Sequence, residues 1–92
     1  MPALWRWPAL LDAAFENLKT ALGAAGARLQ DVVQLRTYLV DAPGMDLETY
    51  RQERNRYFGS FPERPVAMTV RVSGTTVPGA LVLLEAVAVV AD

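Results

Sequence analysis

Leu11, Phe15, Leu18, Leu22 and Ala25 recur at spacings of 4, 3, 4 and 3, which draws one apolar stripe along a helix. Glu16, Asn17, Lys19 and Thr20 fall off that stripe. Pro8 stands near the start, where its missing N–H is not needed, and Gly26 stands near the stop. The pattern predicts a first helix over residues 8–25. After the break at residues 26–31 the period shortens to two. Val32 to Val40 is rich in β-branched and aromatic residues, with Val33, Leu35, Thr37 and Leu39 on one face and Gln34, Arg36 and Tyr38 on the other. This predicts a strand that Asp41-Ala-Pro-Gly44 ends.

Leu47, Tyr50, Arg54 and Tyr57/Phe58 return to helical spacing, with Asp46 suited to the N-cap and Gly59 to the stop, so a second helix is expected over residues 46–58. Pro62 and Pro65 keep residues 60–65 as a loop. Val66, Met68, Val70 and Val72 then alternate with Ala67, Thr69, Arg71 and Ser73, a second strand. A turn over residues 74–79 leads into a last strand over residues 80–90, where Glu85 is the only charge. Its near-continuous apolar character implies burial on both faces. The order α-β-α-β-β describes a small α+β domain with both helices on one face of a three-stranded sheet. Helices cover only one face of the last strand, and the expected cover for the other is a second copy of the chain.

Composition supports that inference. A chain of 92 residues suits one small domain, and such a chain buries only roughly 60–65% of its extended surface. Yet 52% of its residues are hydrophobic, above the ~45–50% usual for soluble domains. Surplus apolar residues in so small a domain are most simply hidden between subunits. There is no cysteine and no histidine, which excludes disulfides, thiolate metal sites, a Ser-His-Asp arrangement and the usual zinc or iron ligands. Any chemistry falls to carboxylates, arginines, tyrosines, hydroxyls, backbone groups or the single lysine, Lys19. A formal net charge of −1 speaks against a nucleic-acid footprint. The opening Met1–Pro8 is too short and too interrupted by proline for a signal peptide. The run from Ala80 to Ala91 covers only twelve positions, short of the ~18–20 that span a bilayer. A soluble cytoplasmic protein with no membrane association is the expectation.

Four stretches in order resemble the RidA (YjgF/YER057c/UK114) family: Glu16-Asn-Leu-Lys19 with Ala24-Ala-Gly26; Asp31 to Asp41; Tyr57-Phe-Gly-Ser-Phe-Pro62; and Pro78-Gly-Ala-Leu-Val82 with Glu85-Ala-Val-Ala88. The resemblance covers residues 11–91. It implies a chorismate mutase-like fold and a homotrimer whose sheets line a central barrel, with ligand clefts between neighbouring subunits. It also implies hydrolysis of small reactive 2-imino acids or enamines to a 2-oxo acid and ammonia, with no cofactor and no metal. In such proteins an arginine grips the substrate carboxylate through a two-pronged contact, for which a guanidinium is suited. A glutamate and backbone carbonyls hold the attacking water.

Three departures bear on that activity. The family's opening strand hairpin, which lends a tyrosine, a serine and a glycine to the cleft, has no counterpart before the first helix, so the chain reads as a shortened single domain over residues 1–92. Phe61-Pro-Glu-Arg64 makes Arg64 the carboxylate arginine, whereas alignment of Thr69-Val-Arg-Val72 puts Ala67 at that position. The family's Glu-x-Glu-Ala reads Leu83-Leu-Glu85-Ala86 here, so the water-holding acid is Leu83 and only the second acid is kept.

Each candidate also has a plainer reading. Glu85, an acid in an apolar strand, is more simply a structural ion-pair partner of Arg36 or Arg71 than a catalytic group, since an unpaired buried carboxylate is costly. Arg64 has a solvated-loop reading of equal weight. Arg71 and Arg36 lie off the apolar stripes and fit either a ligand cleft or a salt bridge joining subunits, the latter favoured. Arg51, Arg54 and Arg56 alternate with Glu48 and Glu53, which suits a solvated helix face better than an RNA contact. Tyr38, Tyr50 and Tyr57 read as packing residues with a polar tip. Trp5 and Trp7 either cover a sheet edge or belong to a frayed tail. Three functions follow: an imine hydrolase, a non-catalytic trimer that binds small acids, or a purely structural or translation-linked partner.

Overall fold

The apolar stripe seats the first helix, α1 (Arg6–Ala24), by burying Trp7, Leu11, Phe15 and Leu22. The computed structural model describes residues 6–91, so Trp5 lies outside the described residues. The helix starts two residues before the expected Pro8, which sits inside the first turn, where backbone N–H groups have no helical partner to lose. Trp7 is a core residue, and its indole N–H donates to the carbonyl of Pro43 at 3.0 Å. Gly26 takes φ +80°, the left-handed conformation that ends α1, and lets the N–H of Ala27 bond to Leu22 O at 2.8 Å.

A 3-10 turn, Leu29–Asp31, leads into β1 (Val32–Val40), followed by α2 (Leu47–Phe58), β2 (Val66–Val72) and β3 (Val82–Ala88). Asp46 caps α2 by accepting from the N–H of Glu48 at 3.3 Å and the Thr49 hydroxyl at 3.0 Å. Gly59 ends α2 for want of space: a Cβ there would lie 2.5 Å from Asn55 O. Among the described residues no helix is long and apolar enough to cross a membrane.

The sheet order is β2-β1-β3, with β1 parallel to β2 and antiparallel to β3. Leu35, Thr37 and Leu39 of β1 are fully buried beneath the helices. Val33 is not with them. The pairing with β3 is irregular between Val32 and Gln34, so Val32 is buried and Val33 is 47% exposed, the displacement that a bulge imposes on alternation. On β3, Val82, Leu84, Ala86 and Ala88 pack against the core while Leu83 and Val87 stay exposed. Within one chain β3 is therefore covered on one face only, because both helices lie on the same side.

β2 departs further. Its partners are Gln34↔Val66, Arg36↔Met68 and Tyr38↔Val70, and paired residues share a face. The apolar stripe of β2 thus points away from the helices, and Ala67, Thr69 and Arg71 point toward them. None of its residues belongs to the core cluster. The open face consequently presents Val66, Met68, Leu83 and Val87, exposed at 75%, 49%, 42% and 53%.

The two helices are also joined by charge. The Tyr57 hydroxyl donates to Asp12 Oδ1 at 2.6 Å and lies 2.7 Å from Glu16 Oε2, while Arg56 bridges Asp12 and Glu53. Burial, then the hydrogen bond to Asp12, raises the Tyr57 phenol well above its ordinary 10. The same phenol, then Arg56, holds the Asp12 carboxyl below 3.8. A depressed acid stabilises the fold at pH values above its ordinary 3.8, and that contribution fades as pH falls through the folded value. Asp12→Asn is expected to lower the melting temperature at neutral pH, with the gap to wild type closing as pH falls below about 3.8. Calorimetric melts from pH 7 to pH 2.5 measure this, and a constant gap would remove Asp12 from the seam.

Candidate functional site

Arginines collect where α2 runs alongside the edge strand β2. Two hollows separate these elements. One, of about 240 Å³, is lined by Leu47, Tyr50, Arg51, Arg54, Thr69 and Arg71. The other, of about 320 Å³, is lined by Arg54, Asn55, Phe58, Arg64, Pro65 and Ala67. Arg54 borders both, so the two form one groove.

The groove follows from the local sequence. The side chains of β2 on the helix side, Ala67 and Thr69, are too small to fill the space beneath α2, and β2 is an edge strand with a neighbour on one side only. Arg51 and Arg54, three apart on α2, lean over that space. The Arg54 guanidinium sits 5.5 Å from the centroid of Tyr50, a cation–π contact, and has no carboxylate partner among the described residues. Tyr50 is held from below, its buried hydroxyl 2.5 Å from the Thr37 hydroxyl.

Arg64 is exposed, and its only hydrogen bond among the described residues is donated to the carbonyl of Gly59 at 3.2 Å. That contact bends the side chain back over the end of α2, beside Phe58 and Ala67. The two positions that competed for the carboxylate arginine, Arg64 and Ala67, thus line the same hollow. Arg71 donates to Asp41 Oδ1 at 2.7 Å, with both side chains more than half exposed. Such a surface pair contributes about 0–1 kcal/mol and exchanges readily for another anion.

Glu85 lies elsewhere. It is exposed on the open face, paired across the sheet with Arg36. No ion pair joins it to Arg36 or Arg71 among the described residues, which corrects the expected structural pair. The reason is topological: Arg71 is on the helix side of β2, and only Arg36 shares the face of Glu85. Gln34, Arg36, Glu85, Ala86 and Val87 line a shallow hollow of about 120 Å³, and the buried Nε of Arg36 has no partner there. Leu83 flanks this hollow, next to Tyr38. Within one chain, then, Arg64 and Arg71 share a groove and Glu85 stands across the sheet from them. Arg54 is the groove residue that sequence reasoning missed. Its three-residue spacing from Arg51 was legible, but not the strand edge opposite.

Two helices on one face of a mixed three-stranded sheet, with an arginine groove at one edge, define a small α+β class. The profile described as endoribonuclease L-PSP matches residues 9–90, and the chain belongs to that family, the RidA (YjgF/YER057c/UK114) family. Its fold is similar to that of Rv2704 from Mycobacterium tuberculosis, a YjgF/YER057c/UK114 member, at 36% identity and a TM-score of 0.75, over 87% of this chain and 64% of that one. YyfB of Yersinia pestis, a Rid-family protein of unknown function, is 32% identical with a TM-score of 0.68, over 82% of this chain and 56% of that one. RidA from an Antarctic Psychrobacter is 25% identical with a TM-score of 0.75, over 87% and 61%. The chain therefore spans less than two thirds of the length of each of these relatives. No curated protein matches it.

Proposed function

We propose that this chain acts on small 2-imino acids or enamines, with Arg64 gripping the substrate carboxylate and backbone groups positioning water, in clefts shared by a homotrimer. The observation that carries this reading is the groove between α2 and β2, where Arg64 and Arg54 lack a carboxylate partner among the described residues. A guanidinium without a protein acid is free to form the paired N–H contacts that a carboxylate accepts. The trimer rests on the open face. Its apolar side chains and the unsatisfied Nε of Arg36 call for a cover that one chain does not supply. That cover brings the face carrying Glu85 and Arg36 of one subunit against a neighbour.

A specific observation favours a second reading, a trimer that binds small acids without hydrolysing imines. Leu83 occupies the place of the family's water-holding glutamate, and its side chain neither orients water nor accepts a proton.

Ammonia release from freshly generated 2-iminopropanoate separates the two. Release above the buffer rate is expected from the hydrolase and none from the binding module. Arg64→Ala is expected to weaken pyruvate binding by about tenfold or more, the loss of one charge-assisted contact. Unchanged pyruvate affinity in calorimetry removes Arg64 from the site.

A further inference from the structure

The groove has more cationic equipment than one carboxylate needs. We infer that its substrates carry a second anionic group, held by Arg71 and Arg54 in the neighbouring hollow, so that the preferred class is 2-oxo or 2-imino dicarboxylic acids. The inference rests on the reading that Arg64 holds the first carboxylate. It uses residues that reading leaves idle.

The geometry supports it in three ways. Ala67 lines the Arg64 hollow, and the next two positions on the same face of β2, Thr69 and Arg71, line the other. Same-face neighbours on a strand are about 6.6–6.8 Å apart, so the two hollows adjoin between Ala67 and Thr69, and Arg71 stands one step further, roughly 13 Å from Ala67, a gap that its long side chain helps to close. Arg54 borders both hollows and has no carboxylate partner among the described residues, so it serves an anion at either end. Charge is unbalanced in the second hollow. Arg51, Arg54 and Arg71 face only Glu48, at 3.8 Å from Arg51, and Asp41, at 2.7 Å from Arg71, and both of these pairs are exposed. Asp41 holds the Arg71 guanidinium in place, and it yields to an incoming carboxylate because an exposed pair contributes little. The Thr69 hydroxyl offers a further donor, beside the walls of Leu47 and Tyr50.

Titration calorimetry with three probes tests this: pyruvate, 2-oxopentanoate and 2-oxoglutarate. The last two have the same chain length and differ in the terminal carboxylate. The full chain is expected to bind 2-oxoglutarate at least about tenfold more tightly than 2-oxopentanoate. Arg71→Ala is expected to erase that preference while leaving pyruvate affinity and the melting temperature unchanged. Arg71→Lys, which keeps the charge without the fork, is expected to retain part of it. Equal affinity for the two five-carbon acids, or a preference that survives Arg71→Ala, overturns the second site while the Arg64 reading stands. Pyruvate affinity that survives Arg64→Ala sinks that reading, and the Arg71→Ala comparison still decides the second site. Absence of binding by all three acids removes both.

Discussion

Replacing Met68 and Leu83 together with lysine is expected to turn an associated protein into single chains at micromolar concentration, with the helical content unchanged. Both side chains are roughly half exposed in the isolated chain, at 49% and 42%, so the substitutions remove little from its own core. Surface changes of that kind usually alter stability by no more than about 0.5 kcal/mol. Against a second copy the balance reverses. Each apolar side chain buried at an interface contributes about 1.5–3 kcal/mol, whereas an ammonium taken out of water without a partner costs several. Met68 pairs across the sheet with Arg36, so the new charges also meet an existing cation. Light scattering after gel filtration measures the outcome. A wild-type protein that runs as one chain, or a double variant that stays associated, overturns the trimer built on this face and the shared clefts with it.

Phe15→Ala carries the largest expected loss of stability. Phe15 is fully buried at the meeting point of α1 and α2. Its ring centroid lies 5.0 Å from Tyr57, 6.2 Å from Phe58 and 6.3 Å from Tyr50. Truncating a buried phenylalanine costs about 3–5 kcal/mol, part lost burial and part cavity. Domains of this kind have only about 5–15 kcal/mol in all. At about 4–8 °C per kcal/mol for so small a domain, the melting temperature falls by tens of degrees. The same change at Val66, 75% exposed on the open face, is expected to move it little in the isolated chain. A Phe15→Ala protein that melts near wild type would mean that the aromatic cluster is not what holds the helices together.

Phe15 and Val33 show where the sequence could be read and where it could not. Phe15 was marked by helical period, because every side chain on the α1 stripe meets the same core. Val33 was misplaced because a bulge shifts alternation by one residue, and a bulge depends on the partner strand. The stripe of β2 was found, but not its direction. Alternation reports that a strand has two unlike faces, and only the parallel register with β1 says that the apolar one points away from the helices.

The candidate site divides in the same manner. Arg64 and Arg71 stood out as arginines near a family motif, yet nothing in their spacing reveals that Arg54 of α2 leans between them. Glu85 stands out as an acid among apolar residues, yet within one chain it is exposed and forms no ion pair among the described residues, because composition does not report which face is covered. What the sequence alone determined is local: which residues form helices and strands, and that each element has two unlike faces. What the tertiary structure decided is adjacency: the groove at the β2 edge, the separation of Glu85 from Arg64, and the open apolar face. The physical reason is that periodicity is fixed by backbone geometry within a few residues, whereas neighbours across a sheet are fixed by strand order and register.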